Sequence, residues 1–206
     1  MIYSFLGDFY HPHENIYPTV KAALEAAGET LADSQLADLP AILDNNPAAI
    51  IMGVENRLNP ESDNVTHWLT PEIDQKIEAY VAAGGSIIAL HAAIASYPQG
   101  SKYIQMLRGY FISHPDEHCL VSYKGQLGGS HDFQLMDEFY VVDVDQENTN
   151  VFLTSESLHG QGIAGWYHNY GNGKAIVIVP THRKESNQNP ATIRLITAGI
   201  NWALER

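Results

Sequence analysis

The chain has 206 residues, 45% of them hydrophobic, with 11 basic against 24 acidic side chains, a formal charge of −13 and a pI near 5.0. That balance repels phosphate polymers and anionic surfaces, which argues against nucleic acid and membranes as partners. No stretch approaches the roughly 20 apolar residues of a membrane span, and the start Met1–Asp8 lacks the basic region of a secretory signal. The single cysteine, Cys119, excludes an internal disulfide and a multi-cysteine zinc site. The expectation is one cytoplasmic domain over residues 1–206.

Residues 2–6 read as an apolar strand ending in Gly7-Asp8. The loop Phe9-Tyr10-His11-Pro12-His13-Glu14 leads into a helix over 17–27 that carries Val20 and Leu24 on one face and stops at Gly28. A short strand over 29–33 and a short helix over 36–43, interrupted by Pro40, precede a buried strand over 48–54. That strand runs into the polar loop Glu55-Asn56-Arg57. The best-specified helix covers 71–83: Thr70 caps it, Pro71 takes its first position, Glu72 and Asp74 complement its dipole, and Ile73, Ile77, Tyr80 and Val81 share a face. Gly84-Gly85 ends it, the strand 87–90 delivers His91, and a helix near 100–108 follows. Strands alternating with helices at this spacing predict a mostly parallel sheet covered on both faces.

After Gly109 the texture becomes β-rich, with short strands over 118–124, 132–135, 139–144, 150–154, 162–168 and 174–179, and Gly171-Asn172-Gly173 as a hairpin turn. A final helix starts at Pro190 behind Asn189 and lines up Ile193, Ile196, Ile200 and Leu204.

In open α/β sheets ligands bind beyond the carboxyl ends of the strands. His91, delivered there by a buried strand, is therefore the first candidate for chemistry, against the alternative of a polar residue that simply caps the next turn. Three further polar groups stand at element ends: His114 in Phe111-Ile112-Ser113-His114-Pro115, the pair Asp137-Glu138 before Phe139-Tyr140, and His182 in Thr181-His182-Arg183. A carboxylate beside an imidazole orients the ring and raises its basicity for proton transfer or metal binding. His11 and His13 have H-x-H spacing, which on an extended segment turns both rings to one side and suits a divalent metal, although no third ligand lies nearby in sequence. Cys119 has no nucleophile elbow around it and reads as a buried small apolar residue. Trp68 and Trp166 suit either a pocket wall or the core. The glycine-rich stretches 125–129 and 171–173 lack phosphate-loop spacing, so no nucleotide motif is present.

In order and spacing, the tract Leu69–Ala93, Phe111 with His114-Pro115, Asp137-Glu138-Phe139-Tyr140, Gly165–Lys174, His182 and Ala198–Ala203 resemble the ThuA-like (trehalose-utilisation) family of the class I glutamine amidotransferase-like superfamily. The segments Tyr10–Glu14 and Ser130-His131-Asp132 depart from its pattern. The resemblance implies an α/β fold, a flavodoxin-like three-layer α/β/α sandwich with a mostly parallel central sheet and a β-rich C-terminal half. It also implies that His91 stands where amidotransferases of the superfamily carry the cysteine nucleophile of a strand–turn–helix elbow, so thiolate glutaminase chemistry is not expected.

The function implied is the handling of a small carbohydrate, trehalose or a keto-sugar, by proton transfer, as a hydrolase, lyase or isomerase. His91 and His182 would be the acid–base pair, with His114, Asp137 and Glu138 orienting them or holding hydroxyls. His11, Glu55, Tyr140 and Trp166 would contribute to substrate binding. A divalent metal such as Zn²⁺, with His91 and His114 among its ligands, stays open. So do a non-catalytic sugar-binding or regulatory module on the same fold and a homodimer.

Overall fold

The computed structural model describes residues 1–180 and 182–205. The chain begins with β1 (Ile2–Leu6), α1 (His13–Ala26), β2 (Leu31–Asp33) and α2 (Leu39–Asp44), and continues with β3 (Ala49–Gly53), α3 (Pro71–Ala82), β4 (Ser86–Leu90) and α4 (Lys102–Leu107). Every residue of β3 and β4 is buried, which is why their sequences are apolar runs rather than alternations. Seven strands follow: β5 (Gly109–Ser113), β6 (Cys119–Gln126), β7 (Ser130–Asp137), β8 (Val141–Val144), β9 (Asn150–Ser157), β10 (Gly160–Tyr170) and β11 (Gly173–Ile178). The described chain closes with α5 (Lys184–Asn187) and α6 (Pro190–Ala203).

One sheet takes nine strands in the order β2-β1-β3-β4-β11-β10-β9-β6-β7. From β2 to β11 the neighbours are parallel, and from β11 outward they are antiparallel, so the alternating half and the β-rich half of the sequence share a single sheet. β5 and β8 pair separately. The chain leaves β1 toward β2 in one direction and β3 toward β4 in the other, so right-handed crossovers put their helices on opposite faces. α1 packs with α6, and α3 packs with α2 and α4, giving the three-layer α/β/α sandwich. The reversal falls between β1 and β3, which opens a crevice beyond their carboxyl ends.

The caps form as the sequence predicts: the Thr70 and Asn189 side chains accept the backbone N–H groups of Ile73 and Ala191. Several boundaries shift by a few residues, and three differences bear on the site. α1 starts at His13 rather than at 17, behind an extended Pro12, so His13 is helical and not part of an extended loop. Residues 109–113 form a strand, β5, because Phe111 finds Val142 as a partner in β8, a pairing 31 residues away in sequence. β8 begins at Val141, since Phe139 and Tyr140 turn away from the ladder into buried positions. Among the described residues no helix is long and apolar enough to cross a membrane.

Candidate functional site

The loops that leave β1, β3, β4 and β11 converge with the segment between β7 and β8. At the end of β4, His91 takes a φ of 41°, in the left-handed region that side chains seldom adopt, and opens a single 3₁₀ turn over His91–Ile94. The ring is 3% exposed. Its Nδ1 lies 2.8 Å from the Val179 carbonyl, just past β11, and can only donate to it, so the lone pair of the neutral ring sits on Nε2. That Nε2 is 3.3 Å from Glu138 Oε2 and 3.2 Å from His182 Nδ1. His182 Nδ1 is in turn 3.2 Å from the same Oε2. The three atoms close a triangle. Ligands 2.0–2.1 Å from a tetrahedral zinc ion stand about 3.3–3.4 Å apart, so the triangle has the size of one face of such a site.

His11 supplies a fourth corner. Its ring centroid is 5.0 Å from those of both His91 and His182, and one ligand atom from each of His11, His91, Glu138 and His182 lies within 4.8 Å of all the others. Asp8 fixes the ring through a 2.7 Å contact between Oδ1 and His11 Nδ1, while the same oxygen accepts the backbone N–H groups of Tyr10 and His11. Its Oδ2 accepts the Glu55 N–H at 2.9 Å. One carboxylate thereby ties the β1 loop to the β3 loop. Burial opposes ionisation of Asp8, but the hydrogen bond and charge of His11, with the backbone donors, outweigh it and lower its pKa. Carboxylate–imidazole support of this kind is the usual second layer behind metal-binding histidines.

The electrostatics favour the donor forms of Glu138 and His182. Burial works against the Glu138 charge, yet the hydrogen bond and charge of His91, then the charges of His182 and His114, bring its carboxyl down to about 2. Burial, then the positive charge of His91, brings His182 down to about 3 against the pull of Glu138. An ionised carboxylate and a neutral imidazole are the forms a metal ion requires.

The second oxygen of Glu138 faces the mouth of the site, with His114 Nε2 at 3.8 Å and His118 Nε2 at 3.5 Å. Asp137 is fully buried and does not face the mouth: it accepts the His182 backbone N–H and the Tyr123 hydroxyl, both at 3.3 Å, so it positions the His182 loop. Burial pushes its pKa up, partly offset by the charge of His91. Tyr140 stacks on the His91 ring at 4.2 Å, with Phe111 4.5 Å beyond it. Glu55 is 2% exposed and lines the same cleft, a hollow of about 460 Å³ between Tyr10, Glu55, Phe111, His114, Glu138 and Tyr140. A hollow of about 560 Å³ lies elsewhere, among Lys124, Gln146, Thr154, Glu156 and Gln161. It is larger but gathers no histidines, and converging donors rather than volume define a site.

The structure thus brings together His11, Glu55, His91, His114, Glu138, Tyr140 and His182, with Asp137 behind them. Trp166 is not among them: it is fully buried against Gly109 and its indole N–H donates to the Leu107 carbonyl at 2.8 Å, which makes it core. His13 points elsewhere, to Asp33 at 2.8 Å, because a helix start separates the two rings of the H-x-H pair. His131 bonds the Leu127 carbonyl, and Cys119 is buried in β6 opposite Asp137. Thr181 lies outside the described residues. Sequence reasoning passed over His118, although its spacing of four from His114 was a readable signal, and over Asp8, Arg57 and Ser96, which carry no local pattern.

Fold and cluster together define an α/β/α protein with an imidazole–carboxylate centre at the carboxyl edge of its parallel strands. The chain belongs to the ThuA family, described as trehalose utilisation, whose model matches residues 8–203. No curated protein matches the sequence. Among solved structures it is similar to a ThuA-like protein from Parabacteroides merdae, with a TM-score of 0.70 and 12% identity over 98% of this chain and 89% of that one. A ThuA-like protein from Bacteroides uniformis gives 0.67 and 16% over the same shares, 98% and 89%. The carbohydrate deacetylase Agd3 gives 0.69 and 13%, covering 99% of this chain but 32% of its own. At these identities the likeness is one of fold.

Proposed function

We propose that the protein is a divalent-metal-assisted enzyme that acts on a small sugar, such as trehalose or a keto-sugar derived from it, by hydrolysis, elimination or isomerisation. The observation that carries this reading is the convergence of His11, His91, Glu138 and His182 within 4.8 Å, backed by Asp8 and by the Val179 carbonyl. Those four side chains would hold the ion, Zn²⁺ being suited to three imidazoles and a carboxylate. Bound there, it would supply Lewis acidity toward a substrate oxygen.

In this arrangement His91 and His182 act as ligands rather than as an acid–base pair, because their nitrogens face each other and one carboxylate oxygen. Proton transfer falls to His114 and His118 at the mouth, both exposed enough to exchange with solvent. Phe111 offers an aromatic edge for the sugar ring. The carbohydrate class rests on the family, and a relative in fold that deacetylates carbohydrate is in keeping with it. The lone buried cysteine fits a reducing cytoplasm.

The test joins metal analysis of the purified protein with a screen of unoxidised and oxidised disaccharides. About one Zn²⁺ per chain is expected, with turnover lost on chelation and in His91→Ala but kept in Cys119→Ala. A protein that takes up no metal on reconstitution and turns over equally well with and without chelator would sink the reading.

A further inference from the structure

We infer that Arg57 binds the ligand through the open end of its guanidinium, which takes two neighbouring oxygens of a sugar, and that Glu55 is the positioning residue behind it. The inference rests on the carbohydrate reading above and adds the group that orients the sugar against the histidine cluster.

An arginine carries five N–H donors in one plane. Arg57 spends two of them on a single oxygen: Nε at 2.9 Å and Nη2 at 2.8 Å both donate to Glu55 Oε2. That contact uses the flank of the fork. The far end, one N–H on each of Nη1 and Nη2 running parallel, has no partner among the described residues. The side chain is 35% exposed and lines the cleft shared with His11, His114 and Glu138, so its free donors are accessible to a ligand seated there.

The fork is held from several directions. Glu55 is 2% exposed with Oε1 enclosed, so it meets no ligand itself, and its Oε2 also accepts Ser96 Oγ at 2.9 Å. Ser96 reaches it from a φ of 65°, a strained backbone for a residue with a side chain. The Tyr10 ring lies against the guanidinium, with its centroid 5.7 Å from Cζ, and the Arg57 backbone pairs with His67 in an isolated bridge. Asp8 accepts the N–H groups of Tyr10 and Glu55, both at 2.9 Å, as well as holding His11. One carboxylate thus fixes the fork relative to the cluster. A fork set in place beforehand loses little freedom when a ligand binds.

Charge and spacing say what the fork fits. The buried Glu55 carboxylate offsets the arginine charge, so a ligand meets two directed donors rather than a free cation. Adjacent oxygens of a sugar ring, each with lone pairs to offer, suit that parallel pair.

Arg57→Lys tests this with the ion pair kept, because an ammonium that pairs with Glu55 has no parallel donors to give a ligand. Calorimetric titration with trehalose should show affinity lowered about tenfold or more. Glu55→Ala removes the brace and should lose as much, whereas Glu55→Gln, whose amide oxygen still accepts from Arg57 and Ser96, should lose less. Zn²⁺ content should equal that of the wild type in all three variants, since neither residue is in the four-residue ligand group. Equal affinity in Arg57→Lys and the wild type overturns the inference, as does a wild type with no measurable affinity for trehalose. Equal losses in Glu55→Ala and Glu55→Gln overturn the positioning role. Failure of the metal reading appears separately, as absence of Zn²⁺ from the wild type.

Discussion

At the scale of single residues, what distinguishes the site is how little freedom its donors retain. His91 is fixed by a carbonyl at one nitrogen and by a strained backbone, and His11 by the shared carboxylate of Asp8. Removing that support while leaving every ligand in place should weaken metal binding without abolishing it. Asp8→Asn is expected to lower Zn²⁺ affinity by roughly 10–100-fold in a competition titration with a chelating dye. A residue remote from the cluster supplies a second prediction. His168 is 4% exposed, bonds the Met106 carbonyl through Nε2 and leaves Nδ1 bare among the described residues. Burial lowers its pKa from 6.5 to about 4 despite that bond. Above pH 6.5 the folded and unfolded states are both neutral there. As pH falls toward 4 only the unfolded chain takes the proton, so stability drops across that window, by up to roughly 2–3 kcal/mol. His168→Gln, which keeps a donor for Met106, should flatten thermal stability against pH between these limits. His91, His114, Glu138 and His182 were legible in the sequence because each stands at the end of an element. His118 meets Glu138 only once folding brings them together, Asp8 reads as an ordinary loop carboxylate until it is seen to join His11 to Glu55, and the size and rarity of tryptophan made Trp166 look like a pocket wall when its N–H had a partner in the core.

Elements were legible to the extent that their partners were local or their burial complete. β3 and β4 declared themselves as unbroken apolar runs, and α3 by its cap and its spacing. β5 did not, because its register with β8 depends on a pairing that no local pattern announces. The β10–β11 hairpin was announced by Gly171-Asn172-Gly173, but the junctions of β11 with β4 and of β9 with β6 were hidden, since there adjacency in the sheet does not follow adjacency in the chain. The start of β11 shows how tightly the two halves meet. A Cβ on Gly173 would run into the carbonyl oxygens of Gly85 and Val81, backbone atoms that cannot swing aside. Gly173→Ala should therefore destabilise the protein by about 1–3 kcal/mol through overpacking, measured as a lower denaturation midpoint with an unchanged slope.

Across the whole molecule the cluster spans the seam between the parallel strands and the antiparallel wing. His91 follows β4, His182 follows β11, and Glu138 comes from beyond β7 at the outer edge of the sheet. An ion held by all three ties these regions in the native state alone, so its binding energy adds to folding stability. At a free Zn²⁺ concentration 100 times Kd the gain is about 2.7 kcal/mol, which for a chain of this size is a rise in melting temperature of roughly 5–10 °C. Differential scanning calorimetry with and without chelator should resolve it, and Cys119→Ala should leave the shift unchanged.

The ligand group also has a temporal meaning. Its members run from position 11 to position 182, so no partial chain on a ribosome holds the full set until His182 has emerged. On the proposed reading, metal loading would follow the emergence of His182 and the closing of the sheet that brings the four side chains together. On the same reading, a chain that stops before His182 would compete poorly for zinc with one that contains it.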